Sequence, residues 1–433
     1  MQILNRYFEL DLHGTTVRTE VMAGLTTFLT MAYIAFVNPQ ILSEAGMDRG
    51  AVFVATCLAA AIGSAIMGLY ANYPIAQAPG MGLNAFFTYG VVLGLGYPWQ
   101  TALGAVFVSG ICFMALSVLP IREWVVNAFP RSLKLATSAG IGLFLAIIAM
   151  RNAGLVEGSE ATLVTLGDVT AAPAVLAVVG LILIAALEAR RVTGGPIIGI
   201  LAVTAVGLAL GVTPFRGVVD LPPSIAPTLF VLDIGAALDI ALFGVIFAFL
   251  FTDLFDTAGT LIGVAHQADL LDADGRLPRV RKALVADSTA TTLGALLGTS
   301  PVTSYIESAA GVKAGGRTGL TAVTVSALFL ATLFLSPLAD TIPAYATAAV
   351  LLFVTCLMAR SLIDIDWSDV TEYAPAVVLA VTIPLSFSIA DGIAAGFITY
   401  AAIKLLSGRA REAQPAVLIL AAVFVARFVW LGA

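Results

Sequence analysis

Charge is the scarcest thing in this sequence. Asp, Glu, Lys and Arg supply 11% of the 433 residues, where an ordinary soluble domain carries about 25%, so the chain cannot clothe a water-facing globule. Cysteine is nearly as rare: Cys57, Cys112 and Cys356 stand singly in apolar runs without CxxC spacing and read as small core hydrophobes. The two histidines, His13 and His266, fall in a polar tail and at a helix end, which leaves no zinc site, and no metal is expected. No GxxxxGK[ST] loop is present, and GLNAFFTYG has no strand and βαβ unit around it, so neither ATP hydrolysis nor a cofactor is expected. Nothing reads as a nucleic-acid footprint. The first twenty residues, MQILNRYFELDLHGTTVRTE, are polar and amphipathic, so no cleavable signal is expected.

What is abundant is apolar sequence, at 60% of residues and a mean hydropathy of +1.01. With roughly 20 apolar residues needed per crossing, the chain is expected to be an all-α polytopic membrane protein. Spans are placed near residues 21–42, 51–71, 75–93, 99–119, 132–153, 171–189, 195–212, 238–264, 282–298, 300–313, 318–337, 343–360, 371–387 and 389–407. A last apolar stretch, 416–430, is short enough to lie on the surface or pack against the bundle. Threading from an inside amino terminus puts seventeen basic residues on one side and only Arg49, Arg151 and Arg216 on the other, with Arg427 left aside. By the positive-inside rule both termini are expected in the cytoplasm.

Two segments are not ordinary spans. YPIAQAPGMGLNAFFTYG (73–90) and TSPVTSYIESAAG (299–311) open with proline in extended-looking runs and then turn helical. Proline removes a backbone donor and disfavours helix just before it, and a membrane tolerates such exposed backbone only around a buried site. Counted along the chain they are spans three and ten, seven apart, so they enter from opposite sides. That spacing predicts a 7+7 inverted repeat whose broken helices meet near the midplane.

Acids placed in such sequence are costly and usually functional. Asp253, Asp256 and Thr260 fall at i, i+3 and i+7, on one stripe of span eight. Glu307 sits in the second half-helix, where free backbone and a carboxylate can converge on one ligand. Asp287, in ADSTATT of span nine, reads either as a brace or as a proton carrier, and Asp253 likewise as a brace or a site acid. Asn84 either bonds a ligand or caps exposed backbone; Thr27, Thr30 and Asn38 of span one either line a cavity or join helices.

The motifs QAPGMGLNAFFTYGVVLGLG, FTDLFDTAGTLIGVA, GTSPVTSYIESAAGVKAGGRTGLTAV and TFLTMAYIAFVNPQILSEAGM closely resemble those of the AzgA-like purine permeases. These belong to the nucleobase/cation symporter family that includes uracil and xanthine permeases, and the likeness covers almost the whole chain. It implies a cytoplasmic segment at 1–20, a core domain of spans one to four and eight to eleven (21–119 and 238–337), and a gate domain of spans five to seven and twelve to fourteen (120–237 and 338–408). An apolar tail, 409–433, follows. It implies proton-coupled uptake of hypoxanthine, guanine or adenine; the expected partners are a purine base, a proton rather than sodium, and the lipid of the plasma membrane, with a homodimer as one option. Asp256 with Gly259 matches the family's span-eight acid-x-x-Gly pattern, Glu307 its span-ten residue and Asp287 its span-nine acid.

The uracil permease has a histidine where this chain has Thr260, so a histidine proton role does not carry over. Substrate contacts are expected from Glu307, Asp256, Asn84, Ala85, Phe86, Thr260, Ser304 and Thr30, with Phe86 or Phe87 stacking on the purine face. The coupling proton is expected on Asp256, Asp287, Glu307 or Asp253. The rival readings are an anion exchanger on the same fold, disfavoured by cavity acids without a cavity arginine, and an intramembrane enzyme, which lacks a nucleophile with a base.

Overall fold

The computed structural model describes residues 2–119, 130–268, 270 and 277–430. Arg122 and Arg276, two of the basic residues counted to the inside, lie outside the described residues. Long apolar runs form helices where the sequence places them, because a buried backbone must satisfy its own polar groups. In chain order the main helices are α1 (Val17–Met31), α2 (Ile34–Glu44), α3 (Arg49–Ile66), α4 (Leu83–Gly94), α5 (Trp99–Val118), α6 (Arg131–Asn152), α7 (Ala172–Ala189) and α8 (Gly195–Ala209). There follow α9 (Phe243–Gln267), α10 (Val280–Leu297), α11 (Ser308–Lys313), α12 (Gly319–Thr332), α13 (Ala344–Ala359), α14 (Val370–Ser386), α15 (Ile389–Leu406) and α16 (Pro415–Trp430). Among the described residues nine helical stretches are long and apolar enough to cross a membrane. Val175, Val178, Val179 and Ile182 stand exposed on α7, as a lipid-facing helix requires.

The two proline-bearing runs form strands, β1 (Gln77–Pro79) and β4 (Val302–Ser304), and these pair with each other. The pairing is antiparallel, with Gln77 opposite Ser304 and Pro79 opposite Val302. Gly80 N–H donates to Pro301 O at 2.8 Å and Tyr305 N–H to Ala76 O at 3.0 Å, extending the ladder at both ends. Each strand has one neighbour, so proline costs the ribbon no second ladder. Each also leads into a short helix, β1 into α4 and β4 into α11. Extended backbone was expected at both places; that one run satisfies the other was not visible in the sequence. A small hairpin, β2 (Val156–Ser159) with β3 (Leu163–Leu166), follows α6.

Helices α3, α9 and α10 pack on the paired strands, with α12 packed against α3, α5 against α10 and α1 against α12, while α6, α7, α13, α14 and α15 pack mainly on one another. Polar groups sort to the two ends of this bundle. At one end the Glu20 carboxylate accepts from Arg317 N (2.9 Å) and the Thr321 hydroxyl (2.6 Å), and Asn72 Oδ1 accepts from Gly319 N (2.7 Å). At the other, Arg49 donates to Ala339 O at 2.8 Å and lies 3.6 Å from Asp340. Arg216, Gln40 and Thr213 share a cavity of about 370 Å³ with them.

Residues 415–430 do not lie apart from the bundle. Helix α16 runs back along α15, with Phe424 against Phe397 (6.1 Å between centroids) and Arg427 paired to Asp391 at 2.9 Å.

Candidate functional site

The crossed strands place Asp287 beneath them. Its Oδ1 accepts from Gln77 Nε2 (2.9 Å) and the Ser304 hydroxyl (2.7 Å), and its Oδ2 from the Thr257 hydroxyl (2.8 Å). One carboxylate therefore joins β1, β4, α9 and α10, and it is fully buried. Asp253 is also buried; its Oδ2 accepts from the Thr291 hydroxyl at 2.9 Å, and Oδ1 has no partner. Both acids belong to the support of the strands rather than to open space.

Asp256 and Glu307 differ. Asp256 is exposed although it lies in the middle of a 25-residue apolar helix, and Glu307 is half-exposed. The two carboxylates are near enough for their charges to act on one another. Exposure continues along α9 at Gly259, Ile262 and His266, roughly one helical turn apart, and Ile306 opposite is 50% exposed. A Cβ added to Gly259 would meet nothing within 4 Å. An exposed stripe thus runs from the two acids along α9 toward its His266 end.

At the opposite end the helices touch. Thr347 of α13 donates to Gln40 of α2 at 2.7 Å, and the Tyr89, Phe144 and Phe387 rings stack edge to face at 6.5 and 5.4 Å. Lys134 of α6 lies over the Phe255 ring at 4.7 Å, beside the open stripe.

Several residues expected at the ligand are held elsewhere. Phe86 and Phe87 are fully buried, and Phe86 packs on Phe249 at 5.0 Å between centroids, so neither offers a free face for stacking. Asn84 is buried; its Oδ1 accepts from Ala85 N–H at 2.7 Å and its Nδ2 donates to Asn38 Oδ1 at 3.1 Å. Of the two readings of Asn84 this geometry matches the cap, and it leaves Ala85 no free donor. Asn38 also donates to the Thr56 and Thr299 hydroxyls, at 2.7 and 2.9 Å. Thr30 donates back to Thr27 O at 2.7 Å and reaches Glu307 O at 3.4 Å. Thr27 packs against Gly311, Ser304 is committed to Asp287, and Thr260 is 6% exposed beside Gly259.

Sequence reasoning missed three residues. Gln77, Thr257 and Tyr33 each hold a carboxylate, and Tyr33 donates to Glu307 Oε1 at 2.6 Å. The only signal for Gln77 was a polar amide inside an apolar, proline-bearing run.

A helical membrane protein whose two broken segments pair beside two exposed acids has the build of a carrier. A profile of the xanthine/uracil permeases, described as a permease family, matches residues 18–395, and the chain belongs to that family. It is 47% identical over 431 residues to the adenine permease AdeP of Escherichia coli (strain K12), covering 100% of this chain and 97% of that one. It is 44% identical over 426 residues to the guanine/hypoxanthine permease PbuO of Bacillus subtilis (strain 168), covering 96% and 98%. Among solved structures, the transmembrane domain of the cyanobacterial bicarbonate transporter BicA superposes with a TM-score of 0.66 at 16% identity, covering 88% of this chain and 97% of that one. That likeness concerns the fold. The chain is a multi-pass membrane permease and not an enzyme.

Proposed function

We propose that this permease imports a purine nucleobase across the plasma membrane by proton symport, with Asp256 and Glu307 binding the base. The observation that carries the reading is the exposure of these two mutually interacting acids on one stripe, which we read as the wall of a hollow, in a chain whose full-length relatives are named for adenine and for guanine/hypoxanthine. A purine presents ring and exocyclic N–H donors along a flat edge, and two carboxylates are matching acceptors. Its faces rest on the apolar surface of Ile306 and the bare backbone of Gly259, since Phe86 and Phe87 are packed away.

The coupling proton is assigned to Asp256. Asp287 already accepts from three donors and has no oxygen facing the hollow, whereas Asp256 is open to water. The antiparallel ribbon supports a 7+7 inverted repeat, because two segments entering from opposite faces pair antiparallel when they meet. The helices around the ribbon form the core and α6–α8 with α13–α15 the gate. With the amino terminus in the cytoplasm, the hollow opens inward. Substrate crosses as core and gate move past each other, exposing the acids to alternate sides.

The BicA-like fold raises the rival of anion exchange, which two carboxylates facing the hollow disfavour by like charge. Vesicles containing the purified protein, given an inward proton gradient and labelled adenine, guanine or hypoxanthine, separate these. Saturable accumulation of unchanged base, abolished by a protonophore, is expected. Bicarbonate or sulfate flux without purine flux would overturn the proposal.

A further inference from the structure

The first membrane-crossing stretch is interrupted. Helix α1 stops at Met31 and α2 starts at Ile34, and Tyr33 occupies the turn between them. It is 1% exposed, and its hydroxyl lies 2.6 Å from Glu307 Oε1. A phenol carries one proton and an ionised carboxylate only accepts, so Tyr33 is the donor. Among the described residues no other side chain donates to the Glu307 carboxylate. Tyr305, on the same segment, donates its hydroxyl hydrogen bond to Pro79 O. Thr30 reaches only the Glu307 backbone carbonyl, at 3.4 Å. From α9 the facing charged group is Asp256, of the same sign. No Lys or Arg among the described residues forms an ion pair with Glu307.

We propose that Tyr33 is a positioning residue for the substrate: it holds one oxygen of Glu307 and so turns the other, in a fixed orientation, toward the base in the hollow. The inference rests on the reading that Glu307 binds the purine. A free glutamate loses rotamer freedom each time it binds; a tethered one has already lost it.

The test is Y33F, which removes one oxygen and no volume that the packing needs, assayed in vesicles beside wild type and E307Q. A hydrogen bond to a charged group is worth about tenfold in affinity. KM for the base is therefore expected to rise about five- to tenfold with maximal rate within about twofold. The acid limb of the uptake profile is expected to move about one pH unit toward neutral, since an untethered carboxylate takes a proton more readily. In the E307Q background, Y33F is expected to change purine binding by less than about twofold, as two residues acting through one contact do. Unmoved KM and pH profile in Y33F, independent multiplying effects in the double variant, or a Y33F protein that does not fold would each overturn the proposal. If E307Q itself binds and transports like wild type, it is the purine reading of Glu307 that fails.

Discussion

Gln77 and Asp287 lie 2.9 Å apart, and through that contact a strand from the first half of the chain is tied to a helix from the second. The same carboxylate holds Ser304 and Thr257, so removing it strips three buried donors of their charged acceptor at once and leaves Gln77 only the Ser304 hydroxyl at 3.3 Å and Thr257 only the Thr303 hydroxyl at 2.9 Å. A hydrogen bond to a charged group contributes about 1.5–3 kcal/mol. D287A is expected to lower the thermal midpoint of the purified protein strongly, or to prevent its accumulation. D287N keeps one oxygen for Gln77 and Ser304, and its amide can donate to Thr257; its midpoint should fall only slightly. A D287A protein as stable as wild type would remove Asp287 from the support of the ribbon.

Gly259 and Gly311 make opposite predictions. Around Gly259 there is open space, and the space is the hollow itself. G259V should fold normally, with an unchanged midpoint, and lose most purine uptake because its methyls stand where the base lies. At Gly311 a Cβ would come within 2.1 Å of the Thr27 hydroxyl and 2.6 Å of Ala23 O. G311A must push α1 away from α11, and loss of folded protein is expected before any change in KM. Size-exclusion profiles and uptake measured on the same preparations distinguish the two. A G259V protein that transports normally would move the binding place off α9.

How much of this was legible in advance depends on the kind of signal. Runs of about 20 apolar residues announce helices by composition alone, and prolines at 74, 79 and 301 announce where helix must fail. The acids were legible because carboxylates in such sequence are rare. Their division of labour was not, because Asp253 and Asp256 differ by three residues in sequence yet one faces Thr291 and the other is exposed. Phe86 misled for a related reason. It follows Asn84 in a motif that borders the hollow, but α4 begins at Leu83 and turns the ring onto Phe249. Tyr33 was hidden by a helix break for which neither glycine nor an adjacent proline gives warning.

A charged clasp at one end of the bundle sets a pH dependence. Asp369 caps α14: its Oδ1 accepts from the Thr371 hydroxyl (2.8 Å) and backbone N–H (2.9 Å), and its Oδ2 from Arg409 (2.8 Å). The Thr371 hydroxyl, its N–H and Arg409 pull the Asp369 carboxyl down to about 2. Glu412 is likewise held below the usual range, by Arg409 first and Lys404 second. A depressed carboxyl contributes stability that is complete above its unfolded value near 4 and is lost as pH falls through the folded one. Thermal midpoints are therefore expected to fall between about pH 4 and pH 2, and D369N should flatten that limb. An acid limb identical in D369N and wild type would place the sensitivity elsewhere.

The last helix carries a prediction about topology. Helix α16 packs against α15, and Arg427, three residues before its end, pairs with Asp391 in the first turn of α15 at 2.9 Å. The two helices are therefore antiparallel and nearly in register, and 16 residues rise about 24 Å, most of a bilayer core. The guanidinium also lies over Gly244 near the start of α9, where an added Cβ would come within 3.0 Å of it, so the pairing fixes the depth of the tail. If the turn at Gly408 is cytoplasmic, as the many basic residues on that side indicate, the end of α16 reaches the opposite face. That outcome differs from the expectation that both termini share the cytoplasm. Cysteines at residue 411 and at the carboxyl terminus, in a background lacking Cys57, Cys112 and Cys356, give the answer with an impermeant thiol reagent applied to intact cells. The terminal cysteine should react and the one at 411 should not. Equal protection of both would mean that α16 packs beside α15 without carrying the chain across.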